Sequence, residues 1–198
     1  MTAAARQHES EESRGCLGTV YRVTADFLVE RKLLDEVKAK LSPASRRMLE
    51  KLPFPFAWQD AAALEEIERL LYAKSPQLAT DLGFAAAKYL SGSVVAPVLK
   101  MATSLFGRTP DAFFRNLDRF FSMVVRGFDF RYEADGEKRG KVIARIHGGP
   151  VHPSLFQQLK GNLGMLFPLS GATGSVEEPL VLRSDDAGAE VVLGVRWE

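Results

Sequence analysis

The spacing of the apolar residues changes at Gly127, and this change constrains the fold more than any other feature of the sequence. Before Gly127, apolar residues recur every three or four positions, as in amphipathic helices. After it, Phe128, Phe130 and Tyr132 alternate with charged residues, which is the pattern of a half-buried strand. A turn then leads into a second strand, over about residues 141–147. Hairpins that are segregated from helices predict an α+β fold.

The boundaries of the helices follow from capping residues and helix breakers. Three helices are predicted to begin at Ser-Pro or Thr-Pro, because the hydroxyl caps the helix and proline fits its first turn. The predicted helices cover 23–41, 43–51, 60–74, 76–90, 94–106, 109–127 and 154–167, and a second hairpin joins 179–183 to 190–197. We therefore expect an N-terminal helical half followed by a β-β-α-β-β antiparallel sheet half.

The first 14 residues differ in composition from the rest of the chain. They are polar and charged, and their apolar side chains are almost all alanine, so they bury too little surface to offset the entropy of ordering. We predict a disordered tail over residues 1–14 and a single α+β sensor-like domain over 15–198.

Charge and hydropathy argue against two classes of partner. Lys and Arg total 26 and Asp and Glu total 25, which leaves no strong positive field for nucleic acid. Pro97 and Lys100 interrupt the longest apolar segment, so no membrane span is expected. Cys16 is the only cysteine, which favours a reducing, cytoplasmic location. The expected partners are a protein, a second copy of the chain, or an apolar small molecule.

The candidates for metal binding or catalysis are few. His147 and His152 flank a loop and could bind zinc if a further ligand converged on them, but such pairs are more often loop residues without a metal. Cys16 and a histidine could form a nucleophile and base, although Cys16 lies beside the predicted tail. Neither a triad nor a metal-ligand set is evident, so we expect no catalytic residues and no metal site.

Charged helix faces offer weaker candidates. In the helix after Asp60, Glu65, Glu66, Glu68 and Arg69 are expected to face solvent. Arg115 and Arg119 are four positions apart and could contact an anion or a partner. A solvated helix face is the commoner explanation of such a pair.

Two segments carry a resemblance to a known family. They are Asn116-Leu117-Asp118-Arg119-Phe120-Phe121 and Phe128-Asp129-Phe130-Arg131-Tyr132-Glu133, the second followed by Asp135-Gly136. Together they resemble the second half of heme nitric-oxide/oxygen-binding (H-NOX) sensor domains. The resemblance implies a helical half, a β-β-α-β-β half and a sensor function. The position of that family's heme-binding histidine corresponds to Phe121, and its Tyr-x-Ser-x-Arg propionate motif is absent from 142–147. The chain is thus expected to hold no heme and to need no cofactor.

A second resemblance covers nearly the whole chain after the tail. The segment from Gly18 to Tyr21 and the terminal Trp197 are similar to an uncharacterised family of about 200 residues with many myxobacterial paralogues. That family is distantly similar to 4-vinyl-reductase-type ligand-binding domains. It implies ligand binding or partner assembly rather than a particular activity.

These observations leave two hypotheses for the function. The first is a non-enzymatic sensor or regulatory module that binds an apolar ligand near Tyr89, Phe113, Phe120 and Phe121, a protein partner, or both. These aromatic residues could equally fill the core, as stripes at helical spacing usually do. The alternative is an interaction adaptor or homodimer with a filled core. A sizeable cavity would favour the first, and an exposed apolar patch without a cavity would favour the second.

Overall fold

The computed structural model describes residues 13–93, 96–97, 100, 104 and 107–198. Most of the predicted tail and much of the predicted helix over 94–106 lie outside the described residues. Within the described part of the chain, no helix is long and apolar enough to cross a membrane.

The helical half consists of helices and short strands. In chain order these are β1 Gly15–Leu17, α1 Gly18–Glu30, α2 Leu34–Lys40, α3 Pro43–Glu50, β2 Trp58–Asp60, α4 Ala62–Lys74, α5 Pro76–Gly92, α6 Pro110–Arg115 and α7 Leu117–Phe121. Two of the predicted caps are present. The hydroxyl of Ser42 accepts a hydrogen bond from the Ser45 amide, and that of Thr109 accepts one from the Ala112 amide.

Two predicted helices of the helical half are each divided into two. The helix predicted over 23–41 breaks between α1 and α2, where Lys32 adopts a left-handed conformation with φ of 57°. The helix predicted over 109–127 breaks at Asn116, whose side-chain amide donates to the Ala112 carbonyl at 2.8 Å. After α7 the chain extends into β3 (Val125–Arg126), which pairs with β1. Tertiary pairing with β1 therefore replaces the last helical turn that the apolar spacing predicts.

The second half is an antiparallel sheet with helices packed on it. Its elements are β4 Phe128–Ala134, β5 Arg139–His147, α8 Pro153–Gly164, α9 Leu166–Ser170, β6 Gly174–Val176, β7 Leu180–Asp185 and β8 Gly188–Trp197. The strand order is β4-β5-β8-β6, and β7 pairs with the other end of β8. The α+β fold class and the order of its two halves are thus confirmed. The helix predicted over 154–167 is divided at Met165 into α8 and α9. The strands β2, β3 and β6 were not revealed by the sequence pattern.

The close contact between α5 and α8 joins the two halves. A Cβ atom on Gly161 would lie 1.9 Å from the backbone oxygen of Thr80, and one on Gly83 would lie 2.0 Å from that of Gln158. Only glycine allows the two backbones to approach this closely. This contact fixes the α8 face that carries Gln158 beside α5 and α4.

Candidate functional site

A cavity of about 120 Å³ lies where the two halves meet. Its walls come from β1, α4, α5, α7, α8 and α9, so it forms only when the helical half and the sheet half are packed together. Most of the lining is aliphatic or aromatic, including Leu64, Leu90, Phe120, Phe121 and Leu155. A known apolar cavity of about 150 Å³ stays dry and binds one benzene molecule. The cavity in this chain is therefore suited to a small apolar molecule.

Glu68 introduces a carboxyl group into this apolar lining. Glu68 is 1% exposed and lines the cavity, and neither of its carboxyl oxygens has a hydrogen-bond partner among the described residues. The expectation that Glu68 faces solvent is wrong. Leu64, Ile67, Glu68 and Leu71 occupy positions i, i+3, i+4 and i+7 of α4, so they lie on the same buried face. That spacing was visible in the sequence and could have identified Glu68.

The surroundings of Glu68 favour its uncharged form. Burial raises the pKa of Glu68 to about 8, and the nearby Glu65 carboxylate acts in the same direction. The Gln158 amide, Arg69 and Arg14 favour the charged form but do not outweigh burial, and Gln158 forms no hydrogen bond of ordinary geometry with Glu68. A protonated carboxyl group has one hydrogen-bond donor and one free acceptor oxygen. Near neutral pH, Glu68 can therefore both donate to and accept from a bound molecule.

The Glu65 carboxylate is held in an ion pair with Arg14. The Arg14 guanidinium contacts both carboxylate oxygens of Glu65, at 2.5 and 3.2 Å. It also donates to the carbonyl oxygens of His147, Gly149 and Pro150, at 2.9, 3.0 and 3.1 Å. Arg14, which the sequence assigns to the tail, thus ties the start of β1 to α4 and to the loop before α8.

The thiol of Cys16 also lines the cavity. Burial raises its pKa to about 12, and the negative charges of Glu68, Asp60 and Glu65 add to the effect. A thiol in such a site stays protonated and is a poor nucleophile or metal ligand. Cys16 therefore contributes apolar surface to the lining.

The four aromatic residues predicted near a pocket lie in three different places. Phe120 and Phe121 line the cavity, and the ring of Phe121 packs against Phe130 with centroids 4.4 Å apart. Phe113 is buried and packs against Phe120 from outside the lining. Tyr89 is 43% exposed and lines a surface groove. The fold brings Phe113, Phe120 and Phe121 together and leaves Tyr89 apart.

The predicted arginine pair and the two histidines are not part of the cavity. Arg115 is on α6 and pairs with Asp111, whereas Arg119 is exposed on α7. His147 lies at the end of β5 with its Nε2 atom 2.7 Å from a carboxylate oxygen of Asp129. The ring of His152 caps α8 by accepting from the amide of Ser154. No three His, Cys, Asp or Glu side chains in the described part of the chain are grouped so as to hold a metal ion.

Comparison with solved structures identifies the fold. An Fe(II) unliganded H-NOX mutant protein from K. algicida has a TM-score of 0.66 with this chain, at 10% sequence identity, over 92% of this chain and 96% of that one. An oxygen-binding H-NOX domain related to soluble guanylate cyclases has a TM-score of 0.64, at 12% identity, over 91% and 94%. The chain has the H-NOX fold.

A third example supports the same conclusion. A mutant of T. tengcongensis H-NOX has a TM-score of 0.64 at 13% identity, over 91% of this chain and 97% of that one. No protein-family model matches the sequence, and a search of curated proteins finds no match. The likeness is thus one of fold.

The described residues of this H-NOX fold do not fit a heme. The cavity is well below the roughly 300–1,000 Å³ of sites that enclose drug-sized ligands, and a porphyrin is larger than most such ligands. Among the described lining residues the only side chain of a usual axial-ligand type is Cys16, whose raised pKa disfavours the thiolate. The only basic residue within 142–147 of β5 apart from His147 is Arg145, which is paired with Glu190 on the sheet.

Proposed function

We propose that this chain is a heme-free, non-enzymatic sensor or regulatory module of H-NOX fold that binds a small apolar molecule between its two halves. The observation that supports this most directly is the cavity of about 120 Å³, with its apolar lining and the deeply buried carboxyl group of Glu68. A buried carboxyl without a partner costs stability, so its position in the wall of a cavity favours a role in binding over one in folding.

Several narrower proposals accompany this one. We infer that the module acts in signalling in the reducing cytoplasm, in keeping with Cys16 as its only cysteine. On sequence resemblance alone, we also propose kinship with the myxobacterial paralogues and, more distantly, with 4-vinyl-reductase-type domains.

Binding of toluene tests whether the cavity accepts an apolar molecule. We expect toluene to raise the melting temperature of the wild-type protein and to give a saturable signal in protein NMR spectra. Ala86→Leu should weaken this binding by about tenfold or more, because Ala86 lines the cavity and the added atoms occupy it. Ala85→Leu is the matched control, since Ala85 lines the surface groove instead. Absence of binding to the wild type would refute the proposal.

Titration with hemin tests the absence of heme. We expect no sharp Soret band that survives gel filtration, because the described lining offers neither a suitable axial ligand nor the volume for a porphyrin. Phe121→His should give at most weak binding, since the propionate motif is still lacking. A stable Soret band that disappears when His147 or His152 is replaced would contradict this part of the proposal.

One observation favours a second function, that of an interaction adaptor or homodimer. Strand β7 pairs only with β8 within the described residues, and its Leu180, Val181 and Leu182 are 62%, 43% and 56% exposed. Exposed apolar strands of this kind are typical contact surfaces for another chain. Light scattering with size-exclusion chromatography distinguishes this function from ligand binding. A dimer that Leu182→Lys dissociates, together with no binding of toluene, would favour the adaptor.

A further inference from the structure

The buried carboxyl group in the cavity wall indicates the chemistry of the ligand. Glu68 is 1% exposed, lines the cavity and has no hydrogen-bond partner for either carboxyl oxygen among the described residues. A buried polar group that lacks a partner is destabilising. A ligand that supplies the missing partner would recover part of this lost free energy.

We propose that the cavity binds an uncharged, compact aromatic or alicyclic alcohol of about the size of phenol, whose hydroxyl group forms a hydrogen bond with the carboxyl group of Glu68. This inference rests on the proposed function and narrows it to one ligand class. The volume of about 120 Å³ limits the apolar part to about a single six-membered ring.

The hydrogen-bonding capacity of the site matches a hydroxyl group. Gln158 also lines the cavity, on the α8 wall, and its amide can accept or donate a further hydrogen bond. A hydroxyl group has one donor and two acceptor positions, so these two side chains can satisfy it. An apolar ring alone would leave the carboxyl group of Glu68 without a hydrogen-bond partner among the described residues.

The charges around the cavity argue against a cationic ligand. An ammonium group would need an ionised Glu68, which burial and Glu65 both oppose. The Glu65 carboxylate already forms ion pairs with Arg14 and Arg69, so it is not available to a further cation. Arg14 also lines the cavity, and the positive charge of its guanidinium group disfavours a second cation there. Cys16 and Asp60 do not change this balance, because the thiol of Cys16 stays protonated and Asp60 is exposed at the end of β2.

Three probes of similar size separate the possibilities: phenol, toluene and benzylamine. Their dissociation constants would be measured by calorimetry at a mildly acidic pH for the wild type, Glu68→Leu and Glu68→Gln. The informative quantity is the dissociation constant of toluene divided by that of phenol, because a change in cavity volume affects both ligands and cancels in the ratio. We expect this ratio to fall by about tenfold in Glu68→Leu, the effect of one lost hydrogen bond. Glu68→Gln, which keeps a donor and an acceptor, should stay within about threefold of the wild type.

The outcomes distinguish this inference from the proposed function. An unchanged ratio in Glu68→Leu, or tighter binding of benzylamine than of phenol, would overturn the inference while toluene binding still supported an apolar cavity. An equal fall of this ratio in Glu68→Gln and Glu68→Leu would overturn the inference as well, because the preference for phenol would then not depend on hydrogen bonding by residue 68. If neither phenol nor toluene bound the wild type, the proposed function would fail too. Thermal unfolding of each variant verifies that it is folded.

Discussion

Replacing Glu68 by Gln should change how the stability of this protein depends on pH. Burial raises the pKa of Glu68 from its ordinary value of 4.5 to about 8 in the folded chain. The folded state therefore binds one more proton than the unfolded state between these two values. By linkage, the free energy of unfolding falls as pH rises through this window, by up to about 1.4 kcal/mol per pH unit.

The size of the effect follows from the two pKa values. The contribution of Glu68 to the free energy of unfolding is fully present below pH 4.5, and most of this contribution is lost by pH 8. Between about pH 5 and pH 8 the loss amounts to about 3 kcal/mol, a substantial part of the stability of a small domain. Glutamine has nearly the same volume and no charge, so Glu68→Gln should lack this loss, although its amide can lower stability by an amount independent of pH.

Urea denaturation at several values between about pH 5 and pH 8 measures the difference between the two proteins. The free energy of unfolding of the wild type minus that of Glu68→Gln should fall by about 3 kcal/mol across this range. His152 titrates in the opposite sense, because burial and Arg69 lower its pKa, but its contribution cancels in the difference. Parallel profiles for the two proteins would refute the reasoning.

Glu66→Gln is the matched control on the same helix. Hydrogen bonds from Ser45 and Ser42 and the charge of Arg69 lower the pKa of Glu66 despite partial burial. The stability that Glu66 contributes is thus present above its ordinary pKa of 4.5 and is lost only as pH falls below it. The free energy of unfolding of the wild type minus that of Glu66→Gln should therefore stay constant from about pH 5 to pH 8.

Three further predictions concern the contacts around the cavity and the start of the chain. Arg14→Ala should lower the free energy of unfolding by about 3 kcal/mol, because the Glu65 carboxylate and three carbonyl groups lose the donor that Arg14 supplies. A decrease below about 1 kcal/mol in urea denaturation would contradict this prediction. Gly161→Ala should lower the free energy of unfolding by about 1–3 kcal/mol, since its Cβ would lie 1.9 Å from the Thr80 oxygen. Gly92→Ala, whose Cβ would meet no atom of the described residues within 4 Å, should leave it unchanged, and equal melting temperatures for the two variants would argue against the close contact. Limited proteolysis should remove roughly the first 12 residues and stop before Arg14. Strong hydrogen-exchange protection of the residues before Arg14 would contradict this prediction.

Local sequence signals predict the order and type of most elements. The change of period at Gly127 located the boundary between the two halves, and the starts at Ser42-Pro43 and Ser75-Pro76 located α3 and α5. These features are local: a cap, a proline or an alternation of polar and apolar residues acts within one turn or one strand.

The breaks at Lys32 and Asn116, the strand β3 and the lack of a hydrogen-bond partner for Glu68 among the described residues depended on the tertiary structure. The apolar spacing is that of a continuous helix across each break, so this spacing alone did not reveal either of them. The cavity is likewise a property of the packed halves, since β1, α4, α5, α7 and α8 each supply part of its wall. The spacing of α4 placed Glu68 on the apolar face. Only the packing of these elements left its carboxyl group without a partner among the described residues. The donors and acceptors near a buried group come from segments that are far away in the chain, so local spacing does not specify them.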